Sequence, residues 1–98
     1  MYDSDAGELI ARRYRIESKL GQGGFGCTYL CHDTRLNNKV VIKELLEKWV
    51  RDKKVCERFK HEAQVMRGLN NPNVVTVYDL LEPESDPAIK QFYIVMEH

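Results

Sequence analysis

The 98-residue sequence lacks a net charge, a long apolar run and any low-complexity tract. Its 15 basic and 15 acidic side chains balance, so charge alone points to neither nucleic acid nor an anionic membrane as a partner. No stretch approaches the roughly 18 to 20 apolar residues of a membrane span, and the acidic start of the chain lacks the order of a signal peptide. We therefore expect a cytoplasmic protein with no nucleic-acid partner and no direct membrane contact in this segment, although a membrane anchor beyond residue 98 would not be visible here.

Cysteine is scarce, and its three occurrences are not spaced for a shared bond or a metal. Cys27 and Cys31 lie four apart on a predicted strand. Because a strand rises about 3.3 Å per residue, they are roughly 13 Å from each other, too far for one disulfide or one zinc ion. We expect free thiols and no metal site in this chain.

Glycine is also sparse, with six residues, but Gly21, Gly23 and Gly26 are spaced two and three apart. Since glycine has no Cβ, such a loop can adopt positive φ and bring its N–H groups close to phosphate. The spacing alone fits a dinucleotide-binding turn, a phosphate-covering hairpin or a plain glycine hairpin. A dinucleotide turn runs into a helix, whereas residues 27–31 are β-prone, so we expect the loop to join two strands.

Lys43 ends an apolar strand, Val40-Val41-Ile42-Lys43. Its stem lies among apolar neighbours while its ammonium needs anions, for which a phosphate and a carboxylate are natural partners. The carboxylate is predicted to be Glu62, which borders the apolar stripe of a predicted helix. For an arbitrary Lys and Glu, two unrelated surface charges would be the better interpretation. The nearby glycine loop favours a pair.

The remaining pattern predicts a small α+β domain in which one main helix lies against five antiparallel strands. The predicted strands are 14–20, 25–32, 39–44, 74–81 and 91–96. The helix is expected to run to Leu69 and to end before Pro72, and residues 45–52 fit either a helical turn or a loop. Residues 1–10 are polar and acidic, so we expect a flexible leader followed by a domain over residues 11–98.

Five motifs in this order resemble the N-terminal, ATP-binding lobe of a eukaryotic-like protein kinase. They are the glycine run 21–29, the Val-Val-Ile-Lys strand 40–43, Glu62, the Asn-Pro segment 69–75 and the closing strand 93–97. The resemblance covers roughly residues 14–98 and is greatest to bacterial serine/threonine protein kinases. It implies the kinase N-lobe fold, with a chain that stops at the hinge between lobes.

The resemblance also implies a set of nucleotide contacts. The implied ATP-binding residues are Leu20, Gly21, Gly23, Gly24, Phe25, Gly26, Thr28, Val41, Lys43, Met96 and Glu97. Lys43 and Glu62 are the implied catalytic residues: Lys43 contacts the α- and β-phosphates, and Glu62 holds Lys43 in place. The implied cofactors are ATP and Mg²⁺, with the ligands of Mg²⁺ in the absent C-terminal lobe.

Two positions depart from the family pattern. Thr28 stands where the family has a valine above adenine, and threonine has nearly the same shape. Val41 replaces the alanine of Val-Ala-Ile-Lys and adds two methyl groups where adenine packs. We expect this change to weaken ATP binding by about 1 to 3 kcal/mol, as at an overpacked core site.

Two function classes remain open on this sequence. The first is the ATP-binding lobe of a protein serine/threonine kinase that transfers the γ-phosphate of ATP to protein hydroxyls. The sequence contains no His-Arg-Asp, Asp-Phe-Gly or Ala-Pro-Glu segment, so we expect the 98 residues alone to be inactive. The alternative is a non-catalytic kinase-like interaction module that binds a partner lobe or self-associates, because an isolated lobe exposes an apolar floor.

Overall fold

The computed structural model describes residues 6–68, 76–83 and 91–98, together with Pro87 and Ile89. Within these residues, six strands form one antiparallel sheet: β1 (Leu9–Ile10), β2 (Tyr14–Gln22), β3 (Gly26–Asp33), β4 (Asn38–Leu45), β5 (Val77–Leu81) and β6 (Tyr93–Glu97). The strand order is β1-β2-β3-β4-β6-β5. One α-helix, α1 (Lys53–Gly68), and one 3-10 helix (Glu47–Trp49) complete the described elements. The predicted α+β arrangement is confirmed.

The sheet has one strand more than the five predicted. Strand β1 pairs with the start of β2 through a tight turn, in which the N–H of Arg13 donates to the carbonyl of Ile10 at 3.0 Å. Ala11 and Arg12 both have positive φ in this turn. Residues with a Cβ disfavour this conformation, so an Ala-Arg pair does not predict such a turn. Ile10 is buried in the core. Leu9 and Ile10, which the sequence analysis includes in the leader, therefore form a strand of the sheet, while residues 1–5 lie outside the described part of the chain.

Alternation along the strands divides the buried side chains between two apolar cores. The first contains Ile10, Tyr14, Ile16, Cys27, Tyr29, Cys31, Val40, Ile42, Ile89, Tyr93 and Val95. The second contains Leu45, Cys56, Phe59, Ala63, Val77, Phe92 and Ile94. Because the second core includes residues of α1, it fixes the face of the sheet against which the helix packs.

Asp52 caps the start of α1. Its carboxylate accepts from the N–H of Val55 at 3.2 Å, and its carbonyl accepts from the N–H of Cys56 at 3.0 Å, which satisfies donors that the first turn leaves free. Phe59 and Ala63 are buried and Met66 is half-buried, as the predicted stripe requires. The predicted helix end at Leu69 and the predicted strand start at Val74 lie outside the described residues.

The ambiguous segment 45–52 contains the 3-10 helix Glu47–Trp49. It links β4, which carries Lys43, to α1, which carries Glu62. Within the part of the chain that the structure describes, no helix has the length and apolar character needed to cross a membrane.

Candidate functional site

The glycine-rich segment is the tip of the hairpin formed by β2 and β3. Gly21 pairs with Thr28, and the turn closes with the N–H of Gly23 donating to the carbonyl of Gly26 at 2.8 Å. A register shift between Lys19 and Gly21 marks an irregularity just before the tip. The prediction that the loop joins two strands is confirmed.

The four glycines of the hairpin have two different structural environments. None of Gly21, Gly23, Gly24 and Gly26, all of which the structure describes, has positive φ. A Cβ on Gly26 would collide with the backbone carbonyl of Glu44, whereas a Cβ on each of the other three would meet nothing within 4 Å. The tip therefore does not use the positive φ that glycine permits. Gly26 is required by a close backbone approach, and the other three leave open space at the tip.

Four of the predicted nucleotide contacts share one face of the sheet. Thr28 is directly opposite Lys43 across β3 and β4, and Val41 is directly opposite Met96 across β4 and β6. Paired residues in an antiparallel ladder share a face, as do residues two apart in a strand. Lys43 and Val41 are two apart, so all four side chains belong to the face on which α1 packs.

Lys43 and Glu62 meet on this face. The Nζ of Lys43 lies 2.8 Å from Oε1 of Glu62, so the contact predicted from sequence is confirmed. The two side chains are 34% and 44% exposed, which leaves the pair accessible from solvent. Since an ammonium has three donors, this hydrogen bond leaves Lys43 the capacity to bind an anion as well.

A small cavity of about 110 Å³ lies between the hairpin tip, β4 and α1. Its lining residues are Phe25, Gly26, Lys43, Leu45, Val55, Arg58, Phe59 and Glu62. Arg58 is one helical turn before Glu62, so these two side chains are neighbours on the helix surface. Arg58 was not among the predicted site residues, although its spacing of four from Glu62 places it on the same helix face.

Trp49 is a second residue that sequence reasoning did not assign to the site. Its indole Nε1 donates to the carbonyl of Gly24 at 3.0 Å, and its ring centroid is 4.9 Å from that of Phe25. The backbone N–H of Leu46 also donates to the carbonyl of Phe25 at 2.8 Å. The 3-10 segment after β4 therefore contacts the tip of the glycine-rich hairpin directly.

The other predicted contacts lie at the rim and at the end of β6. Leu20 and Phe25 are exposed at 55% and 49%, on either side of the hairpin tip. Glu97 ends β6, where its N–H donates to the carbonyl of Thr76 at 2.8 Å and its carboxylate accepts from the N–H of Thr76 at 3.1 Å. These bonds hold the end of β6 beside Thr76.

The three cysteines are buried and none of them forms a disulfide, as predicted. Burial raises the pKa of the Cys31 thiol to about 12. Among the described residues, no group of three His, Cys, Asp or Glu side chains is placed to hold a metal ion.

Comparison with solved structures identifies the class of protein. The crystal structure of the Mycobacterium tuberculosis PknI kinase domain superimposes with a TM-score of 0.69 and 25% identity, over 95% of this chain and 35% of that one. A chain described as the apo form of PpkA superimposes with a TM-score of 0.72 and 19% identity, over 95% of this chain and 37% of that one. The fold is that of a kinase N-lobe.

Sequence comparison then gives the family. The sequence profile of the protein kinase domain matches residues 14–98, and the chain belongs to the protein kinase family. It is 38% identical over 92 residues to the serine/threonine-protein kinase PrkC of Bacillus subtilis and 40% identical over 89 residues to the serine/threonine-protein kinase PknB of Mycobacterium tuberculosis. These matches cover 94% and 91% of this chain but only 13% and 14% of the respective relatives.

Proposed function

We propose that this chain is the ATP-binding lobe of a protein serine/threonine kinase that transfers the γ-phosphate of ATP to protein hydroxyls. The single observation that carries the proposal is the 2.8 Å contact between Lys43 and Glu62 beside the glycine-rich hairpin. The names of the bacterial relatives, which are serine/threonine-protein kinases, support the substrate class.

The residues present fit a nucleoside triphosphate. Open space adjoins Gly21, Gly23 and Gly24 at the hairpin tip, so a phosphate could approach the backbone there. The ammonium of Lys43 supplies a positive charge for the phosphates. An adenine ring would pack on Thr28, Val41 and Met96, which share the face of Lys43.

Each residue then has a role in holding the nucleotide. Lys43 would bind the α- and β-phosphates, and Glu62 would orient Lys43 through the observed hydrogen bond. Phe25 would cover the phosphates, and the carbonyl of Glu97 would accept from the adenine amino group. ATP supplies the phosphoryl group that is transferred. The extra methyl groups of Val41 would narrow the adenine pocket.

The base and the metal ligands of this reaction are not recognisable in the 98 residues. In protein kinases the catalytic-loop Asp accepts the hydroxyl proton, and the Asp of Asp-Phe-Gly holds Mg²⁺. The sequence has neither segment. We propose that both groups, and the contacts to the protein substrate, come from a second lobe outside these residues, and that the 98-residue chain alone does not transfer phosphate.

An NMR titration of the isotope-labelled chain with ATP tests this function, because it detects even the weak binding expected of half a cleft. Amide shifts are expected at residues 21–26, Lys43 and Met96. Lys43→Met should abolish these shifts. Lys39→Met is the matched control, since Lys39 is on the same strand and pairs with Glu17 at 2.8 Å; it should leave them intact. The absence of shifts at these residues at millimolar ATP would reject the proposed function.

A non-catalytic interaction module is the second candidate. The exposure of the apolar side chains of Leu20 and Phe25 beside the cleft favours it, because a partner lobe or a second copy could cover them. Sedimentation velocity at several concentrations distinguishes the two candidates. A chain that stays monomeric would exclude self-association, and a pull-down that captures no partner lobe would exclude the rest of this candidate.

A further inference from the structure

The tip of the glycine-rich hairpin is tied to the segment that follows β4. Trp49 contributes two contacts from one side chain: a hydrogen bond from Nε1 to the carbonyl of Gly24 at 3.0 Å, and a tilted ring contact with Phe25 at 4.9 Å. Gly24 and Phe25 are the residues at the apex of the turn. Both contacts therefore act on the turn between β2 and β3.

The main chain of Trp49 is held by the start of α1. Its carbonyl accepts from the N–H of Asp52 at 3.0 Å and lies 3.4 Å from Sγ of Cys56. Asp52 caps α1, and Cys56 lies in the first turns of that helix. Trp49 thus has its backbone against the helix that carries Glu62 and its side chain on the hairpin tip.

We propose that Trp49 is a positioning residue. It fixes the distance between the hairpin tip and Lys43, and it couples the position of the tip to the position of α1. This inference rests on the proposed ATP-binding function. Gly23 and Gly24 have open space where a Cβ would lie, and segments with few packed side chains open locally at low free energy. The indole hydrogen bond and the ring contact restrict that opening from outside the hairpin.

The order of these elements along the chain means that a movement of α1 reaches the hairpin tip through Trp49. Trp49 lies between Lys43 and Glu62 in sequence, so a shift of the start of α1 moves the backbone that carries the indole. When α1 is placed for the Lys43–Glu62 contact, the indole reaches Gly24. The tip is then held over the site at which the phosphates would bind.

Amide hydrogen exchange of the chain without nucleotide tests the link. Trp49→Phe removes the indole N–H but keeps an aromatic ring, and Trp49→Ala removes both contacts. Loss of one hydrogen bond should speed exchange of the tip amides 23–26 by about fivefold, and loss of both contacts by more. Lys48→Gln is the matched control, because Lys48 precedes Trp49 in the same 3-10 helix and its Nζ lies 5.6 Å from the indole ring; it should leave tip exchange unchanged.

Tryptophan fluorescence of the variant Phe25→Leu tests the ring contact. Trp49 is the only tryptophan, so the emission maximum of this variant should move to longer wavelength as the indole becomes more exposed. Exchange of the strand amides of Ile42 and Ile94 should stay unchanged in every variant, which separates a positioning role from a general loss of stability. Unchanged tip exchange in both Trp49 variants, or faster exchange throughout the sheet, would overturn the proposal.

Measuring the dissociation constant for ATP separates this inference from the proposed function. If wild-type chain binds ATP, Trp49→Phe should raise the dissociation constant with no change in melting temperature, and an unchanged constant would count against the positioning role. If wild-type chain shows no ATP binding, the proposed function fails, while tip exchange without nucleotide still decides whether Trp49 holds the hairpin.

Discussion

Gly26 lies so close to the backbone carbonyl of Glu44 that a Cβ at this position would collide with the carbonyl oxygen. The two residues are on neighbouring strands, where Gly26 pairs with Leu45 and Cys27 pairs with Glu44. The contact is with backbone and not with a flexible side chain, so the strand itself would have to move. Gly26 is therefore a requirement of the fold as well as part of the glycine-rich hairpin.

Gly26→Ala is expected to destabilise the chain by about 1 to 3 kcal/mol, because the methyl group overpacks the β3–β4 contact. Gly23→Ala is the control, since a Cβ there meets nothing within 4 Å. Urea unfolding followed by circular dichroism measures both. Equal stability of the two variants would show that the close approach to Glu44 has no energetic consequence.

The ion pair between Arg13 and Asp33 predicts a pH dependence of stability. Two bonds of 2.9 and 2.7 Å join the guanidinium to the carboxylate, which is buried and also accepts from the N–H of Arg35 at 2.9 Å. The hydrogen bond from Arg13 is the main cause that lowers the pKa of Asp33 from 3.8 to about 2. A carboxyl with a lowered folded-state pKa stabilises the fold above its unfolded value, and this contribution is lost as the pH falls from about 4 to about 2.

Asp33→Asn should therefore reduce the free energy of unfolding by about 2 kcal/mol at neutral pH. The difference from wild type should disappear as the pH approaches 2. Glu17→Gln serves as the comparison, because the Lys39–Glu17 pair is exposed and surface pairs contribute little. Urea unfolding at a series of pH values gives the curve; a pH-independent difference would contradict the assignment to Asp33.

The turn between β1 and β2 predicts a stabilising substitution. Ala11 and Arg12 have φ of 54° and 59°, the pattern of a type I′ turn, which favours Asn-Gly. Replacing them by Ala11→Asn and Arg12→Gly should raise the free energy of unfolding by about 1 kcal/mol, since left-handed backbone is disfavoured for other residues. Asn37, with φ of 56°, provides the opposite test: Asn37→Ala should destabilise. A loss of stability in the double variant would refute this description of the turn.

The thiol of Cys31 is expected to be unreactive in the folded chain. Its residue is fully buried, and burial raises its pKa to about 12, so almost no thiolate forms at pH 8. Iodoacetamide labelling read by mass spectrometry should leave the Cys31 peptide unmodified in native buffer and modify it in urea. Rapid native labelling of Cys31 would show that the first core is open to solvent.

The sequence pattern predicts most of the sheet and the helix because local periodicity carries that information. Alternation of apolar residues indicates β2, β3 and β4, and the spacing of Phe59, Ala63 and Met66 indicates the buried face of α1. Strand β1 escaped prediction because its two residues are too few for a pattern and its turn uses Ala-Arg in place of the usual turn residues.

What the sequence alone determined is the chemistry of the site: a glycine-rich hairpin, a lysine at the end of an apolar strand and a glutamate on the buried edge of a helix. The tertiary structure decided what surrounds them. Only the pairing of β4 beside β3 makes Gly26 obligatory, and only the path of the chain between β4 and α1 brings Trp49 to Gly24, 25 residues away in sequence. Such contacts depend on the relative placement of whole elements, which no local pattern of side chains encodes.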